Sequence, residues 1–137
     1  LPARAARAGV RIGIAGTADL RRLAPFDLVL ADVPCSGSGT WRRAPDAKWR
    51  LDPARLDALC RLQSQILRQA GDLVAGGGVL AYATCSVLRA ANDAQIEGFR
   101  AERPAWQVAD RMRLLPGPGH DGFFLAVLRK EDLTTGS

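Results

Sequence analysis

Residues 26–49 read FDLVLADVPCSGSGTWRRAPDAKW, and the rest of the chain is organised around this stretch. Its apolar run, Leu28–Ala31, is short enough for a buried strand. Pro34 has no N–H to donate to a sheet, so we expect the strand to end near Asp32. Cys35 and a loop rich in Gly and Ser follow. An acid and a thiol therefore stand at the C-terminal end of a strand, where open α/β sheets bind ligands.

A second stretch, Val79–Ser86, reads VLAYATCS and repeats this design, with an apolar strand followed by Cys85. Both Cys35 and Cys85 are thus expected at strand exits. Cys60 falls inside an expected helix and is interpreted as structural. An odd number of cysteines, three, without a secretory context argues against a disulfide framework, and no Cys-x-x-Cys pair occurs that would suggest a zinc site. Since the only histidine, His120, is expected on a surface loop, no metal site is expected either.

The order of the elements predicts an α/β fold. Asp52-Pro53 is a strong helix start, and apolar residues from Leu56 to Leu73 share one helical face until the glycines 76–78. We predict strands at 10–14, 26–31, 79–84, 106–108 and 122–128, helices ending at Gly9 and near Arg103, and loops at 16–20, 37–52 and 112–121. Helical crossovers imply a mostly parallel, doubly wound sheet, with the last two strands as an antiparallel pair at one edge. Residues 1–130 should form one domain and residues 131–137 a polar tail.

The composition limits the class of protein. With 137 residues, 47% of them hydrophobic, the chain suits one globular domain. No apolar run approaches the ~20 residues of a membrane span, and no secretory signal is recognisable, so we expect a cytoplasmic protein. The net charge of +5 fits either an organism that favours arginine or a polyanionic partner such as nucleic acid. Because the chain starts at Leu1, we expect it to continue upstream.

Six motifs, in this order, resemble the RNA cytosine-C5 methyltransferases of the Sun/NOL1/NOP2 family, in particular the bacterial members that act on 16S rRNA. They are DVPCSGSGT at 32–40, RRAPDAKW at 42–49, QSQIL at 63–67, YATCS at 82–86, NDAQI at 92–96 and DGFF at 121–124. The resemblance covers residues 5 to 130. It implies a Rossmann-like class I fold, S-adenosylmethionine as cofactor, and C5-methylation of a cytosine in RNA, with ribosomal RNA as the expected partner.

The resemblance also implies roles for single residues. Cys85 would be the nucleophile that adds to C6 of cytosine, and Cys35 would help to release the methylated product. Asp32 would hold the base and lie against the cofactor, beside Pro34. Asp19 would face the adenine of the cofactor. The alternatives stay open: Cys35 as a structural thiol, and Asp32 and Asp19 as loop caps.

Two further expectations concern the surroundings of the cysteines. A nucleophilic thiol needs a lowered pKa, which Arg89 or the N-terminus of the following helix could supply to Cys85. Basic residues interleaved with tryptophans suit contacts with phosphates and bases of RNA; they are Trp41, Arg42, Arg43, Lys48, Trp49 and Arg50. The resemblance places Lys48 near the active site. The alternative is a solvated loop whose tryptophans pack into the core.

The family's Gly-rich cofactor loop and its ribose-binding acid have no counterpart in this sequence. We therefore expect a fold truncated at its N-terminus, without its first two strands. The strands at 26, 79, 122 and 106 would form half a sheet with an exposed edge open to self-association. We expect the chain alone to bind S-adenosylmethionine poorly and to be inactive. The second hypothesis is a non-catalytic RNA-binding module on the same half-fold. A thiol hydrolase is a weaker third, since no His shares a motif with either cysteine.

Overall fold

The computed structural model describes residues 1–132, so the expected tail lies outside the described residues from 133 onward. The helices are α1 (Pro2–Arg7), α2 (Thr17–Leu23), α3 (Asp46–Trp49), α4 (Pro53–Asp72) and α5 (Asp93–Glu102). The strands are β1 (Phe26–Asp32), β2 (Val74–Thr84), β3 (Trp106–Leu114) and β4 (Phe123–Lys130), and short 3-10 turns occur at Ser38–Thr40 and Arg89–Ala91.

The strands form one mixed sheet in the order β1-β2-β4-β3. β1 and β2 are parallel and are joined through α4, whereas β4 runs antiparallel to both β2 and β3. This arrangement confirms the predicted α/β half-sheet with an antiparallel pair at one edge, but the described sheet is mixed and not mostly parallel, since two of its three pairings are antiparallel. It also leaves β1 at the other edge, paired only with β2 within residues 1–132.

α4 begins where the sequence predicts, because the carboxylate of Asp52 accepts the backbone N–H of Arg55 at 2.7 Å and Pro53 occupies the first turn. Its buried face carries Gln63, Leu67 and Ala70, and it packs against β1, β2 and α5. The core between helices and sheet includes Leu80, Tyr82, Ile96, Phe99, Trp106, Phe124 and Leu128. One face of the sheet is therefore covered by α4 and α5.

The strand predicted at 10–14 is wrong. Residues 10–16 have no regular secondary structure, and Val10, Ile12 and Ile14 are exposed. Alternating apolar residues form a strand only where a neighbouring strand accepts their backbone hydrogen bonds, and the described sheet offers none to this segment. The loop predicted at 16–20 is also wrong in part, since α2 begins at Thr17.

The other strands are longer than predicted. β3 extends to Leu114 because it pairs along β4 as far as Phe123. β2 starts at Val74, before the glycines that were expected to separate it from α4. The register with β1 moves from the pair Phe26–Val74 to the pair Leu28–Val79, so residues 75–78 bulge out of the ladder, with Gly77 at a φ of 72°.

Among residues 1–132, no helix has the length and apolar character needed to cross a bilayer.

Candidate active site

The ends of β1 and β2 bring the two cysteine loops side by side. Asp32, the last residue of β1, is paired in register with Ala83 of β2. The backbone N–H of Val33 then donates to the carbonyl of Ala83 at 3.1 Å. Because the strands are parallel, the segments that follow β1 and β2 leave the sheet at the same end.

The Sγ atoms of Cys35 and Cys85 lie 3.3 Å apart, and both thiols are free and half-buried. The two strand-exit cysteines singled out in the sequence therefore form one site. Cys60 lies elsewhere, on α4, where its thiol donates to the carbonyl of Ala90 at 3.5 Å. That contact suits the structural role predicted for Cys60.

The electrostatics of the pair differ from the expectation. Burial, the contact with the Cys35 thiol and the nearby Asp32 carboxylate raise the pKa of Cys85 to about 11. The predicted lowering of this pKa by Arg89 is wrong, because Arg89 binds Glu97 at 2.9 Å and is exposed. The 3-10 turn at Arg89–Ala91 also separates Cys85 from the start of α5. In this state the Cys85 sulfur is a neutral thiol.

Asp32 and Pro34 flank the thiols and are exposed. Within residues 1–132 the Asp32 carboxylate forms no hydrogen bond or ion pair, so its oxygens are available to a ligand. The carbonyl of Pro34 accepts a hydrogen bond of 2.8 Å from Nε2 of Gln63, which is fully buried on α4. Gln63 thus anchors this loop to α4. Sequence reasoning missed it, although a glutamine on the apolar face of a helix is the signal that could have found it.

A cluster of serine hydroxyls joins the two cysteine loops and was also missed. The Oγ of Ser86 lies 3.1 Å from that of Ser36 and 3.0 Å from that of Ser38, and the Ser36 and Ser38 hydroxyls are 3.1 Å apart. The Ser38 hydroxyl also accepts the backbone N–H of Val87 at 2.9 Å. Ser38 and Ser86 are buried. Each hydroxyl is satisfied by partners on the opposite loop, which fixes the separation of Cys35 and Cys85.

Behind these hydroxyls the Cys85 loop is tied to α5. The Thr84 hydroxyl lies 2.6 Å from Oδ1 of Asn92, and Nδ2 of Asn92 donates to the carbonyl of Ser86 at 2.7 Å. Thr84 and Asn92 are fully buried. The motif around residue 92 therefore supports the loop that carries Cys85.

Two glycines connect the loop before β4 to the two cysteine loops through backbone hydrogen bonds. The N–H of Gly39 donates to the carbonyl of Cys85 at 2.8 Å, and the N–H of Gly122 donates to the carbonyl of Gly39 at 2.7 Å. A Cβ placed on Gly39 would lie 2.7 Å from the Cys85 carbonyl oxygen and closer still to that of Gly122. Only glycine fits this crossing.

Two arginines of the basic loop at residues 41–50 form ion pairs with an acid of the same chain. Nε of Arg43 donates to Asp121 at 2.8 Å, and Arg42 lies 3.8 Å from the same carboxylate. The two arginines lower the pKa of the Asp121 carboxylate, chiefly through the hydrogen bond from Arg43. Lys48 lies on α3 with its ammonium 5.6 Å from the ring of the exposed Trp49. The indole Nε1 of Trp41 is buried, without a hydrogen-bond partner in the described part of the chain.

Asp19 is not brought to this site by any contact within residues 1–132. It lies in the first turn of α2, where its carboxylate binds Arg22 at 2.9 Å. Asp32 thus has the free acceptor oxygens that a cationic or hydroxyl-bearing cofactor requires, whereas Asp19 would have to exchange Arg22 for a ligand. The described residues contain no group of three or more His, Cys, Asp or Glu side chains placed to hold a metal ion.

Comparisons with known proteins find relatives of this chain. The family model described as 16S rRNA methyltransferase RsmB/F matches residues 5–129. The chain is 42% identical to the ribosomal RNA small subunit methyltransferase B of Vibrio vulnificus over 113 residues, which cover 77% of this chain and 26% of the relative. It therefore spans about a quarter of that relative's length.

Solved structures show the same fold. The crystal structure of PH0851 superposes with a TM-score of 0.73 at 33% identity and covers 76% of this chain and 26% of that one. NSun6 from Pyrococcus horikoshii, solved with SFG, gives a TM-score of 0.71 at 23% identity and covers 88% of this chain and 34% of its own. The latter likeness concerns the fold alone.

Proposed function

Because the chain belongs to the family of the 16S rRNA methyltransferases RsmB/F, we propose that it forms part of an enzyme that methylates C5 of a cytosine in ribosomal RNA. The observation that carries this proposal is the 3.3 Å approach of Cys35 and Cys85 at the exits of two parallel strands. Two thiols and the free carboxylate of Asp32 are the groups that this chemistry requires. We assign residues 1–130 to the catalytic domain.

Cys85 acts as the nucleophile. Its thiol gives its proton to solvent, and the sulfur forms a bond to C6 of the cytosine. The electron pair of the C5–C6 double bond moves to C5, which becomes nucleophilic. When bound, S-adenosylmethionine supplies the electrophilic methyl group. Asp32, at the end of β1, holds the exocyclic amino group and N3 of the base in the required position. Orientation by Asp32 therefore precedes bond formation by Cys85.

Cys35 acts in product release. After methylation, C5 carries both a methyl group and its original hydrogen. Cys35, after giving its own proton to solvent, takes that hydrogen as a proton. The electron pair of the C5–H bond reforms the C5–C6 double bond, and the bond between C6 and the Cys85 sulfur breaks with its electrons on the sulfur. The sulfurs lie 3.3 Å apart, and this short distance supports the assignment, since a base bonded to Cys85 at C6 would have its C5 within reach of Cys35.

The cofactor assignment rests on Asp32 and Pro34, which are exposed beside the thiols. We assign Asp19 to the adenine end of the cofactor, with release of Arg22 on binding. That the chain alone binds S-adenosylmethionine weakly and is inactive stays a prediction. RNA is assigned as substrate through the family and through the net charge of +5, with Lys48, Trp41, Arg42 and Arg43 as contacts around the site.

Trapping of the covalent adduct tests this mechanism. In the full enzyme, Cys35→Ala should accumulate a species in which RNA migrates with the protein on a denaturing gel, because release is blocked after C6 is bonded. Cys85→Ala should abolish both that species and methyl transfer. Cys60→Ala is the matched control and should behave as wild type, since its thiol lies on α4. Wild-type turnover in Cys85→Ala would contradict the mechanism.

The raised pKa of Cys85 favours a second candidate, a non-catalytic RNA-binding module on the same fold. The same experiment separates the two functions. RNA binding without an adduct in Cys35→Ala, together with unchanged binding in Cys85→Ala, supports the binding module.

A further inference from the structure

A cavity of about 130 Å³ lies beside Cys35, between its loop, the residues that end and follow α3, and the first turns of α4. Residues from three segments line it, among them Cys35, Ala47, Arg50, Leu51, Arg55 and Leu59. We propose that Arg50 and Arg55 bind a backbone phosphate of the RNA strand next to the target cytidine. This proposal rests on the proposed function for its ligand class, but it assigns a site that the thiol chemistry does not use.

Unlike several other arginines, Arg50 and Arg55 have no partner within residues 1–132. Arg42 and Arg43 bind Asp121, Arg68 binds Glu102 and Arg89 binds Glu97. Within residues 1–132, by contrast, the guanidinium groups of Arg50 and Arg55 form no ion pair and no hydrogen bond.

The nearest acid in sequence does not neutralise these groups. The carboxylate of Asp52 lies between Arg50 and Arg55 in the chain, but it accepts the backbone N–H of Arg55 as the cap of α4. Two guanidinium groups with free donors therefore border one cavity. Guanidinium groups bind phosphate oxygens with two parallel hydrogen bonds, which suits an RNA backbone.

The rest of the lining sets the size of the ligand. Ala47, Leu51 and Leu59 give the cavity an apolar wall that suits a ribose face. Sites for whole small molecules have volumes of about 300 Å³ or more, and this cavity is less than half as large. It therefore accepts one part of a nucleotide, with the phosphate at the arginines.

The cavity lies next to the thiol site, so a phosphate bound there would position the RNA strand for the reaction. Cys35 lines it, and the Sγ of Cys35 is 3.3 Å from that of Cys85. A cytosine bonded to Cys85 thus has its neighbouring backbone within reach of this cavity. Phosphate contacts fix the register of a strand without reading its sequence. Arg50 and Arg55 then hold the strand while the base enters the site, in addition to the contacts proposed for Arg42 and Arg43.

The test is the salt dependence of RNA binding in the full enzyme. The probe is an unstructured, cytidine-containing single-stranded oligoribonucleotide, followed by fluorescence anisotropy across a salt series. The binding constant K falls with salt, and each phosphate contact on a single strand makes the slope of log K against log [salt] about 0.7 steeper. Because both arginines hold one phosphate, we expect Arg50→Gln/Arg55→Gln to make that slope about 0.7 shallower. Arg50→Lys/Arg55→Lys should keep the slope and bind more weakly, because charge remains but the paired hydrogen bonds are lost.

Arg61→Gln is the matched control, because Arg61 is exposed on the same helix, has no ion-pair partner within residues 1–132 and does not line the cavity. An unchanged slope in the double glutamine variant, an equal loss in Arg61→Gln, or no RNA binding by the wild-type enzyme would each overturn the proposal. The covalent adduct between RNA and Cys85 is measured separately, in the Cys35→Ala variant in which it accumulates. A normal adduct with an unchanged slope rejects the arginine site alone, and a reduced slope without any adduct rejects the thiol mechanism alone.

Discussion

The thiol of Cys85 has a defined position beside Cys35 but a raised pKa. Its sulfur has one defined neighbour, Cys35, at 3.3 Å, but burial and that neighbour raise its pKa to about 11. A thiolate is the reactive form. The proposed reaction therefore requires that substrate binding or a base removes the proton when cytosine enters, so that the free protein keeps its nucleophile protonated.

Alkylation of Cys85 should report this pKa directly. The thiolate fraction is small near neutral pH and rises about tenfold for each pH unit until the pKa is reached. Iodoacetamide labelling of Cys85, followed by mass spectrometry, should therefore accelerate up to a pH of about 11. Cys35→Ala should shift the profile to lower pH, because it removes a neighbour that raises the pKa of Cys85. A labelling rate that is already constant near neutral pH would contradict this account.

The positions of single residues were predictable only where the backbone sets them. Both cysteines follow apolar strands, so the meeting of Cys35 and Cys85 follows from the parallel pairing of β1 and β2. Ion pairs were not predictable in this way. Arg43 and Asp121 are 78 positions apart and meet through tertiary structure, and Arg89 turns to Glu97 because α5 places that carboxylate within reach.

The loops around the site form a second level of organisation, and their contact depends on Gly39 and Gly122. The two glycine N–H groups link the Cys35 loop, the Cys85 loop and the loop before β4 in series. The serine hydroxyls add a second set of bonds between the first two loops. The Cys35–Cys85 distance is thus set by loop contacts and not by the sheet alone.

Gly39→Ala should destabilise the fold, because its Cβ would overlap two backbone carbonyls that cannot move independently. Overpacking of this kind costs about 1–3 kcal/mol. Gly98→Ala is the matched control: Gly98 lies in α5 with no atom within 4 Å of a new Cβ, so alanine should stabilise the helix by about 0.5–1 kcal/mol. Denaturant unfolding followed by circular dichroism measures both changes. Equal stability of the two variants would show that the glycine crossing does not constrain the loops.

The elements themselves could be predicted to the extent that local signals define them. Asp52 and Pro53 mark the start of α4, and the structure confirms it. The residues 10–14 alternate as a strand does, but no described strand lies beside them. The extension of β3 to Leu114 likewise depends on its partner β4. Strand length is a property of the sheet, which a single segment does not encode.

Within residues 1–132 the molecule presents a sheet with one covered face and two edge strands, β1 and β3. In β1, Val29 and Ala31 pack toward the core. Since side chains alternate along a strand, Leu28 and Leu30 face away from α4. They are 64% and 65% exposed. A parallel β1–β2 pair is usually buried on both faces, so this surface is one that association would cover.

We expect the chain to self-associate through β1 with a second copy of itself. An edge strand offers unpaired backbone groups to another strand, and burial of each exposed leucine would contribute about 1.5–3 kcal/mol. Sedimentation velocity of the 137-residue chain over a concentration series should show a growing dimer fraction. Leu30→Lys should keep the chain monomeric, since a lysine at an edge strand opposes pairing. Leu62→Lys, on α4 and also exposed, should leave the dimer intact. A wild-type chain that stays monomeric at every concentration, or a dimer that Leu62→Lys disrupts and Leu30→Lys does not, would show that β1 is not the interface.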